Sequence, residues 1–193
     1  MPDRARAIIN QALIRISETP VDDLETTEQP SALSAMTLLE TVMDEAVSEW
    51  EWSFATKFAD LTPTEGVAPA PEDMVRILEV RPKSAEWRVI GREIHIDEEE
   101  PTIVYVGSLV EWTEPAEPGD PIFPTIPSWL SPKFQIAVAC RLAAELAPTY
   151  AGNLQLASQL QQEYMVLIRQ ARSQDSLGSE GPDEKPEDWR EVR

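Results

Sequence analysis

Residues 49–59 read EWEWSFATKFA and hold two of the chain's six Trp and two of its four Phe. The apolar side chains that lead into this stretch recur every three or four residues, the spacing of one helix face: Met36, Leu39, Met43, Val47 and Trp50. The side chains within it recur every second residue, the spacing of a strand: Trp52, Phe54, Thr56 and Phe58. The stretch therefore predicts an aromatic joint between a helix and an extended segment.

A nearly apolar run, Phe134–Ala147, is the predicted packing partner of this joint. Its only clearly polar residues are Gln135, Arg141 and Glu145, so the pattern predicts a helix that is buried on almost all sides. We expect the core to be built around six large side chains: Trp50, Trp52, Phe54, Phe58, Phe134 and Leu142.

Four helices are predicted from the apolar spacing and from the signals at the helix ends. Asp3 is the predicted N-cap of the first helix, which runs to about residue 17, and the second helix starts near Ser31. The third follows Ser131, a capping residue, with Pro132 at its first position. The fourth starts near Asn153.

Short strands are predicted between the joint and the third helix, at residues 75–80, 87–90, 93–97 and 101–106. The Gly91-Arg92 turn makes a hairpin of the second and third of these strands. Residues 107–127 carry five prolines and are expected to form a long loop without regular structure.

The sequence thus predicts a mainly α protein with a small β part, an α+β fold. Residues 1–61 and 128–172 are expected to form an antiparallel bundle of about four helices. Residues 62–127 are expected to be an inserted β meander of three to five strands with the Pro-rich loop. Residues 173–193 are predicted to be an acidic, flexible tail, in which Trp189 is either solvated or the anchor of a docking segment.

The formal net charge is −19, from 35 carboxylates against 16 Lys and Arg. Such a chain lacks the basic surface that binding to duplex DNA needs, so direct DNA binding by charge is disfavoured. An acidic surface can still line a passage for DNA, because like-charge repulsion keeps the polymer from adhering to the wall. That role requires a ring of subunits.

No catalytic, cofactor or metal site is predicted. Glu40 and Asp44 are expected on a solvated helix face, with metal binding as the alternative. The acidic turn 97–100 is also expected to be solvated, because it lacks the spaced ligands and the Gly of a calcium loop. His95 is predicted to be a surface residue of a strand, and Cys140 a small core residue. Two other functions stay open, a metal-dependent hydrolase that uses these carboxylates and an acidic DNA-mimic inhibitor.

The chain contains no run of roughly 18 apolar residues, and its first segment is amphipathic. We therefore expect neither a signal peptide nor a membrane span. The single cysteine permits no intramolecular disulfide and fits assembly in the cytosol.

Several short motifs follow one another along residues 5–172. They are INQAL at 9–13, WSFA at 52–55, PEDMVRILEV at 71–80, VYV at 104–106, WLSPKF at 129–134 followed by Ala137, and LAAELA at 142–147. In the order and spacing of these motifs the chain resembles the tail tubular protein A family, the head-to-tail adaptors (connectors) of short-tailed bacteriophages. It departs from that family after the first helix, where Ser17-Glu18-Thr19-Pro20 replaces the common Gly turn.

The resemblance implies a structural virion protein, not an enzyme, with no cofactor. It implies a helical bundle with a β insertion, assembled as a ring of typically twelve copies at the head-tail junction of the virion. Such a ring binds the portal protein on one side and the tail nozzle protein on the other. DNA passes through its channel without specific binding during ejection. The resemblance further implies assembly in the host cytoplasm and no membrane partner.

Overall fold

A computed structural model describes residues 4–113 and 122–179. These residues form an α+β fold of four α-helices and eight strands in small antiparallel sheets, which confirms the predicted fold class. The helices are α1 (Arg4–Arg15), α2 (Pro30–Ser48), α3 (Pro132–Leu146) and α4 (Leu154–Ser179). The strands are β1 (Thr56–Asp60), β2 (Val67–Pro69), β3 (Met74–Arg81), β4 (Trp87–Ile90), β5 (Glu93–Ile96), β6 (Thr102–Gly107), β7 (Glu111–Trp112) and β8 (Pro124–Thr125).

The central element is α3, which packs against α1, α2 and α4. Ten of its fifteen residues are buried, as its apolar sequence predicts. Even Gln135 is buried, and its Nε2 donates a hydrogen bond to the carbonyl oxygen of Leu130. A short π-helical segment, Ala147–Ala151, and the left-handed Gly152 then reverse the chain into α4.

The ends of α1 and α3 differ from prediction in detail. α1 ends at Arg15, and Ser17 takes a φ of 63°, a left-handed conformation that Gly adopts more easily. The amide of Glu18 closes this turn on the carbonyl oxygen of Leu13 at 2.9 Å, so the chain reverses here without a Gly. Ser131 precedes α3 but makes no side-chain cap, and its Oγ is buried without a hydrogen-bond partner. The predicted cap at Asp3 lies outside the described residues.

The strands form two three-stranded sheets, in the orders β1-β6-β3 and β2-β5-β4. The predicted meander of three to five strands is therefore wrong in strand number and order. β6 returns between β1 and β3, and the β4-β5 hairpin, which the sequence did predict, pairs with β2 on its other side. A small core lies between the sheets and consists of Leu61, Ala68, Val80, Ile94, Ile96, Ile103 and Tyr105.

The Pro-rich region contains regular structure that the sequence analysis excluded. β7 pairs antiparallel with β8, and Trp112 lies opposite Pro124. The pair is only two residues long, and its edges are not covered by another strand within the described residues, so a Pro without an amide hydrogen is tolerated there. Residues 114–121 lie outside the described part of the chain.

The predicted boundaries also shift. β1 begins at Thr56, inside the segment assigned to the helical bundle, and α4 continues to Ser179, inside the segment assigned to the tail. Residues 180–193, with Trp189, lie outside the described residues. We refer below to α1 to α4 as the helical unit and to residues 56–107 as the β insertion. No helix within the described residues is long and apolar enough to cross a membrane.

Candidate interaction site

The aromatic joint is centred on Trp52, which is fully buried as predicted. Its ring centre lies 5.2 Å from that of Phe54 and 5.0 Å from that of Phe134, and the two Phe rings are 5.1 Å apart. The indole Nε1 donates a hydrogen bond to the carbonyl oxygen of Ala46 at 3.1 Å, so the one polar atom of the ring is satisfied. Phe134 and Leu142 are also fully buried, and Phe54 packs against the same core.

Two of the predicted core residues are not in the core. Trp50 is 40% exposed and Phe58 is 64% exposed. Trp50 follows the end of α2 at Ser48, and Phe58 follows a tight turn in which the amides of Ala55 and Thr56 both donate to the carbonyl oxygen of Trp52. The turn breaks the two-residue period that the sequence analysis extended from Trp52 to Phe58. Phe58 therefore lies on the outer face of β1.

The joint reaches the surface through Trp129. This ring lies 6.4 Å from the ring of Phe54, yet its side chain is 61% exposed. The aromatic cluster is thus buried at Trp52 and ends in an exposed Trp side chain next to the helical unit. Such a residue is a frequent anchor of protein contacts.

The C-terminal half of α4 is attached to the joint by two carboxylates. Glu49 accepts a hydrogen bond from Tyr164 Oη at 2.7 Å and forms an ion pair with Arg172. Asp175 accepts hydrogen bonds from the amide of Ser53 at 2.9 Å and from its hydroxyl at 2.5 Å. Burial and the neighbouring Glu49 raise the pKa of Tyr164, so its hydroxyl remains a donor at neutral pH. These contacts fix α4 against residues 49–53.

Glu40 and Asp44 line a cleft of about 540 Å³ between α2 and the β insertion. Both carboxylates accept structural hydrogen bonds, Glu40 from Trp112 Nε1 at 2.8 Å and Asp44 from Ser108 Oγ at 2.7 Å. Burial raises the pKa of Asp44, with a smaller contribution from the charge of Glu40, while the bond from Ser108 opposes the increase. Within residues 4–113 and 122–179, no three His, Cys, Asp or Glu side chains come together in a metal-binding group.

Asp73, the residue before β3, forms hydrogen bonds with side chains of both β1 and β6. It accepts hydrogen bonds from Lys57 Nζ at 2.5 Å and from Tyr105 Oη at 3.1 Å. Burial acts to raise its pKa, but the bond and charge of Lys57 outweigh burial, and the pKa is lowered overall. A Cβ at Gly107 would stand 2.8 Å from the side chains of both Asp73 and Lys57, so a larger residue there would displace this ion pair.

The remaining predicted residues lie apart from one another. His95 is half-buried on the strand face opposite Ile94 and Ile96, and its Nε2 is 3.8 Å from a Glu93 carboxylate oxygen. The acidic turn 97–100 is largely exposed. Cys140 is fully buried, and burial raises its pKa to about 12, which keeps it a protonated thiol.

Exposed apolar side chains are spread over both parts of the molecule. The large ones include five aromatic residues and a group on β4: Ile14, Leu33, Trp50, Phe58, Trp87, Val89, Ile90, Trp112, Ile122, Trp129, Leu154, Met165 and Val166. All four residues of β4, the strand at one edge of its sheet, are exposed. Single exposed apolar residues are common, but a set this rich in Trp is typical of surfaces that become covered.

Comparison with protein-family models gives no match for this chain, and comparison with curated proteins gives no significant one.

Sequence reasoning missed three features of these surfaces. The hydrogen bonds of Glu49 join residues more than a hundred positions apart, and no local pattern indicates them. The exposure of Phe58 follows from the turn at Trp52, which carries no Gly or Pro signal. No local pattern indicates the exposure of β4, since Trp87 and Val89 share one face of the strand while Arg88 and Ile90 share the other.

Proposed function

We propose that this protein is a structural assembly component, a head-to-tail adaptor whose ring joins a phage portal to a tail nozzle and surrounds the DNA passage. The proposal takes its class of protein from the order of sequence motifs along residues 5–172. A ring of twelve copies, contact with portal and nozzle, and a place in the virion belong to this proposal.

The observation that carries it is the exposed aromatic surface on both parts of the molecule. Trp129 and Trp50 lie beside the helical unit, while Phe58 and Trp87 lie on the β insertion. An adaptor needs contact surfaces on opposite sides, for neighbouring copies and for two different partners. Aromatic side chains supply much of the binding energy of such contacts when they become buried.

The charge supports the same proposal. A ring built from copies with a net charge of −19 has many carboxylates available for its channel, and an acidic wall repels DNA. The proposed function requires no reaction. The carboxylates of the α2 cleft, Glu40 and Asp44, serve here as hydrogen-bond acceptors that position Trp112 and Ser108.

The test is assembly with a portal. The full chain would be mixed with the portal protein encoded in the same genome and studied by mass photometry and negative-stain electron microscopy. We expect a ring of adaptor copies on one face of the portal, and a genomic position beside portal and nozzle genes. A chain that stays monomeric and unbound at micromolar concentrations of both proteins would overturn the proposal.

A matched pair of variants sharpens the test. Trp129→Ala removes an exposed ring and should weaken portal or neighbour binding by at least about tenfold if that ring is an anchor. Leu154→Ala removes an exposed side chain from the start of α4, where no aromatic cluster lies. Equal loss of binding in both variants would show that the aromatic surface has no special part in assembly.

A further inference from the structure

The free edge of β4 presents backbone groups that point away from its own sheet. The amide of Ile96 donates to the carbonyl oxygen of Gly66 on the far side of β5, so it does not bond to Trp87, which lies opposite it. The Asp97 amide donates to the carbonyl oxygen of Glu86, the residue just before β4. Because backbone groups alternate along an antiparallel pair, the amides and carbonyls of Trp87 and Val89 face the open edge.

The side chains of β4 give this edge an apolar character. Trp87, Val89 and Ile90 are all exposed, and Val89 lies opposite the buried Ile94. Exposed apolar edges are costly in a protein that works alone, because they invite pairing with another strand. The edge therefore has both the hydrogen-bonding groups and the apolar surface that an added strand would use.

The segment that contains β4 is basic, although the chain as a whole is acidic. Residues 81–92 carry four basic residues against one acidic residue, a net charge of +3, in a chain whose net charge is −19. Arg81 and Lys83 share Glu79 as an ion-pair partner. Arg88, on β4 itself, has no ion-pair partner among the described residues. Glu86 and Asp97 flank β4, so the charge that the edge offers to an added strand is that of Arg88, which can pair with a carboxylate.

The chain itself contains a segment of the required chemistry. Residues 180–193 carry six acidic residues against three basic residues and include Trp189, and within them residues 187–193 carry three acidic residues against two basic ones. The stretch 187–193 contains no Pro, so each of its residues can donate to a ladder. The other acidic segment outside the described residues, 114–121, has three prolines and fits a strand poorly.

A groove closer to the end of α4 is a poorer match for this segment. α4 contacts Ser53 through Asp175, and the groove that starts at Ser53 crosses Phe58 and Val104. Glu51 and Glu79 line that groove and no basic residue does, whereas Arg88 lines the cleft beside β4 together with Glu86 and Asp97.

We propose that the edge of β4 binds residues 187–193 of a second copy of this chain as an added antiparallel strand. The carboxylates of that segment lie near Arg88, and Trp189 covers the apolar side chains of β4. The contact deepens the ring assembly proposed above and rests on that proposal only for the presence of a second copy. It requires neither a portal nor a nozzle.

The test is photo-crosslinking of the full chain with a benzoylphenylalanine at Glu191. Equal amounts of unlabelled and ¹⁵N-labelled protein are mixed, so that mass spectrometry separates crosslinks within a chain from crosslinks between chains. We expect crosslinks between chains at residues 86–92. Crosslinks to Phe58 or Val104, crosslinks within one chain only, or none at residues 86–92 would overturn the proposal.

Two variants test the two parts of the contact. Arg88→Glu reverses the charge at an exposed residue and should lower the yield of crosslinks between chains about tenfold, which corresponds to about 1.4 kcal/mol. Val89→Pro removes an amide hydrogen that points to the open edge, leaves the bonds to β5 intact, and should lower the yield by a similar factor. Arg169→Glu, on the exposed face of α4, is the charge-matched control and should leave the yield unchanged.

These results separate the two proposals. Retained crosslinks at β4 without portal binding would support the contact and overturn the adaptor function. Portal-bound rings without these crosslinks would do the reverse. Unchanged yields in both Arg88→Glu and Val89→Pro would overturn the contact even if the segment lies nearby, and circular dichroism would verify that each variant is folded.

Discussion

The helical unit and the β insertion bury their side chains to very different degrees. The helical unit encloses one continuous core that extends from α1 to α4 and includes Trp52. The β insertion has a separate core of seven buried residues between two small sheets, and one of its strands is exposed along its whole length. The comparison suggests a division of roles, in which the helices supply stability and the β insertion supplies surface. The predictions below test that division, from the largest expected effect to the smallest.

Trp52→Ala should have the largest effect on stability. The ring is fully buried between Phe54 and Phe134, and its removal leaves a cavity at the centre of the helical unit. We expect a loss of about 3–5 kcal/mol in the free energy of unfolding, measured by chemical denaturation. A loss below about 1 kcal/mol would contradict the central place of this residue. Trp129→Ala is the control, because that ring is mostly exposed.

Ile94→Ala should destabilise the β insertion while the helices persist. Ile94 is fully buried in the small core between the sheets. We expect a local loss of about 2–4 kcal/mol, seen as faster amide hydrogen exchange in β2 to β6 with little change in α1 and α3. Equal loss of protection in both parts would show that they unfold as one unit. Ile90→Ala, on the exposed edge strand, is the matched control.

Glu49→Gln should loosen the C-terminal half of α4. The substitution removes the charge that partners Arg172 and weakens the acceptor of Tyr164. We expect a loss of about 1–3 kcal/mol and faster hydrogen exchange near Asp175. Glu51→Gln is the control, because Glu51 is exposed and has no ion pair among the described residues. Similar effects of the two substitutions would argue against the role of Glu49.

Asp73 and Asp44 should give the two parts opposite responses to pH. The folded pKa of Asp73 lies below the ordinary value of 3.8, so its stabilising effect is present above that pH and is lost as the pH falls through the folded pKa. The folded pKa of Asp44 lies above 3.8, so its ionisation becomes a cost as the pH rises past that value.

Urea unfolding between pH 2 and 7 tests this contrast. Asp73→Asn should be less stable than the unmodified protein at pH 7, and the difference should shrink in acid. Asp44→Asn should be at least as stable at pH 7, and that difference should also shrink in acid. Parallel pH profiles for either variant and the unmodified protein would contradict the assigned shift.

Phe58→Ser should have the smallest effect on the isolated chain. The ring is mostly exposed, and its one cation–π contact within the described residues is with the Arg81 guanidinium at 5.9 Å. We expect a change within about 0.5 kcal/mol in the free energy of unfolding. A larger loss would show that the outer surface of the β insertion contributes to stability, which would contradict the division of roles.

The sequence was most informative for the helical unit. Long apolar stripes and Pro132 place all four helices, and the apolar run to Ala147 marks α3 as central. The hairpin of the β insertion was predicted, but its strand order was not. That order depends on pairing between distant segments, such as β1 with β6, and local spacing does not encode such pairing.

The candidate surfaces were predicted less well than the core. Trp52, Phe134 and Leu142 follow from the apolar pattern alone. Phe58 was misplaced because the turn at Trp52 changes the phase of the chain, and Trp50 because α2 ends before it, at Ser48. Side chains become exposed or buried according to what packs over them, and the described chain covers the side chains of β4 only in part.

The contact between Ala55 and Gly107 bears on the order in which the two parts of the protein fold during synthesis. The amide of Gly107 donates to the carbonyl oxygen of Ala55 at 2.9 Å, so the β insertion starts and ends at one place and is complete within a single contiguous segment. α1 and α2 leave the ribosome first, but α3, against which both pack, follows only after residues 49–131. At roughly 5–20 residues per second that interval is on the order of ten seconds. The sheets can therefore form during translation before α1 and α2 have α3 to pack against. The core around α3, the most deeply buried part of the protein, forms last.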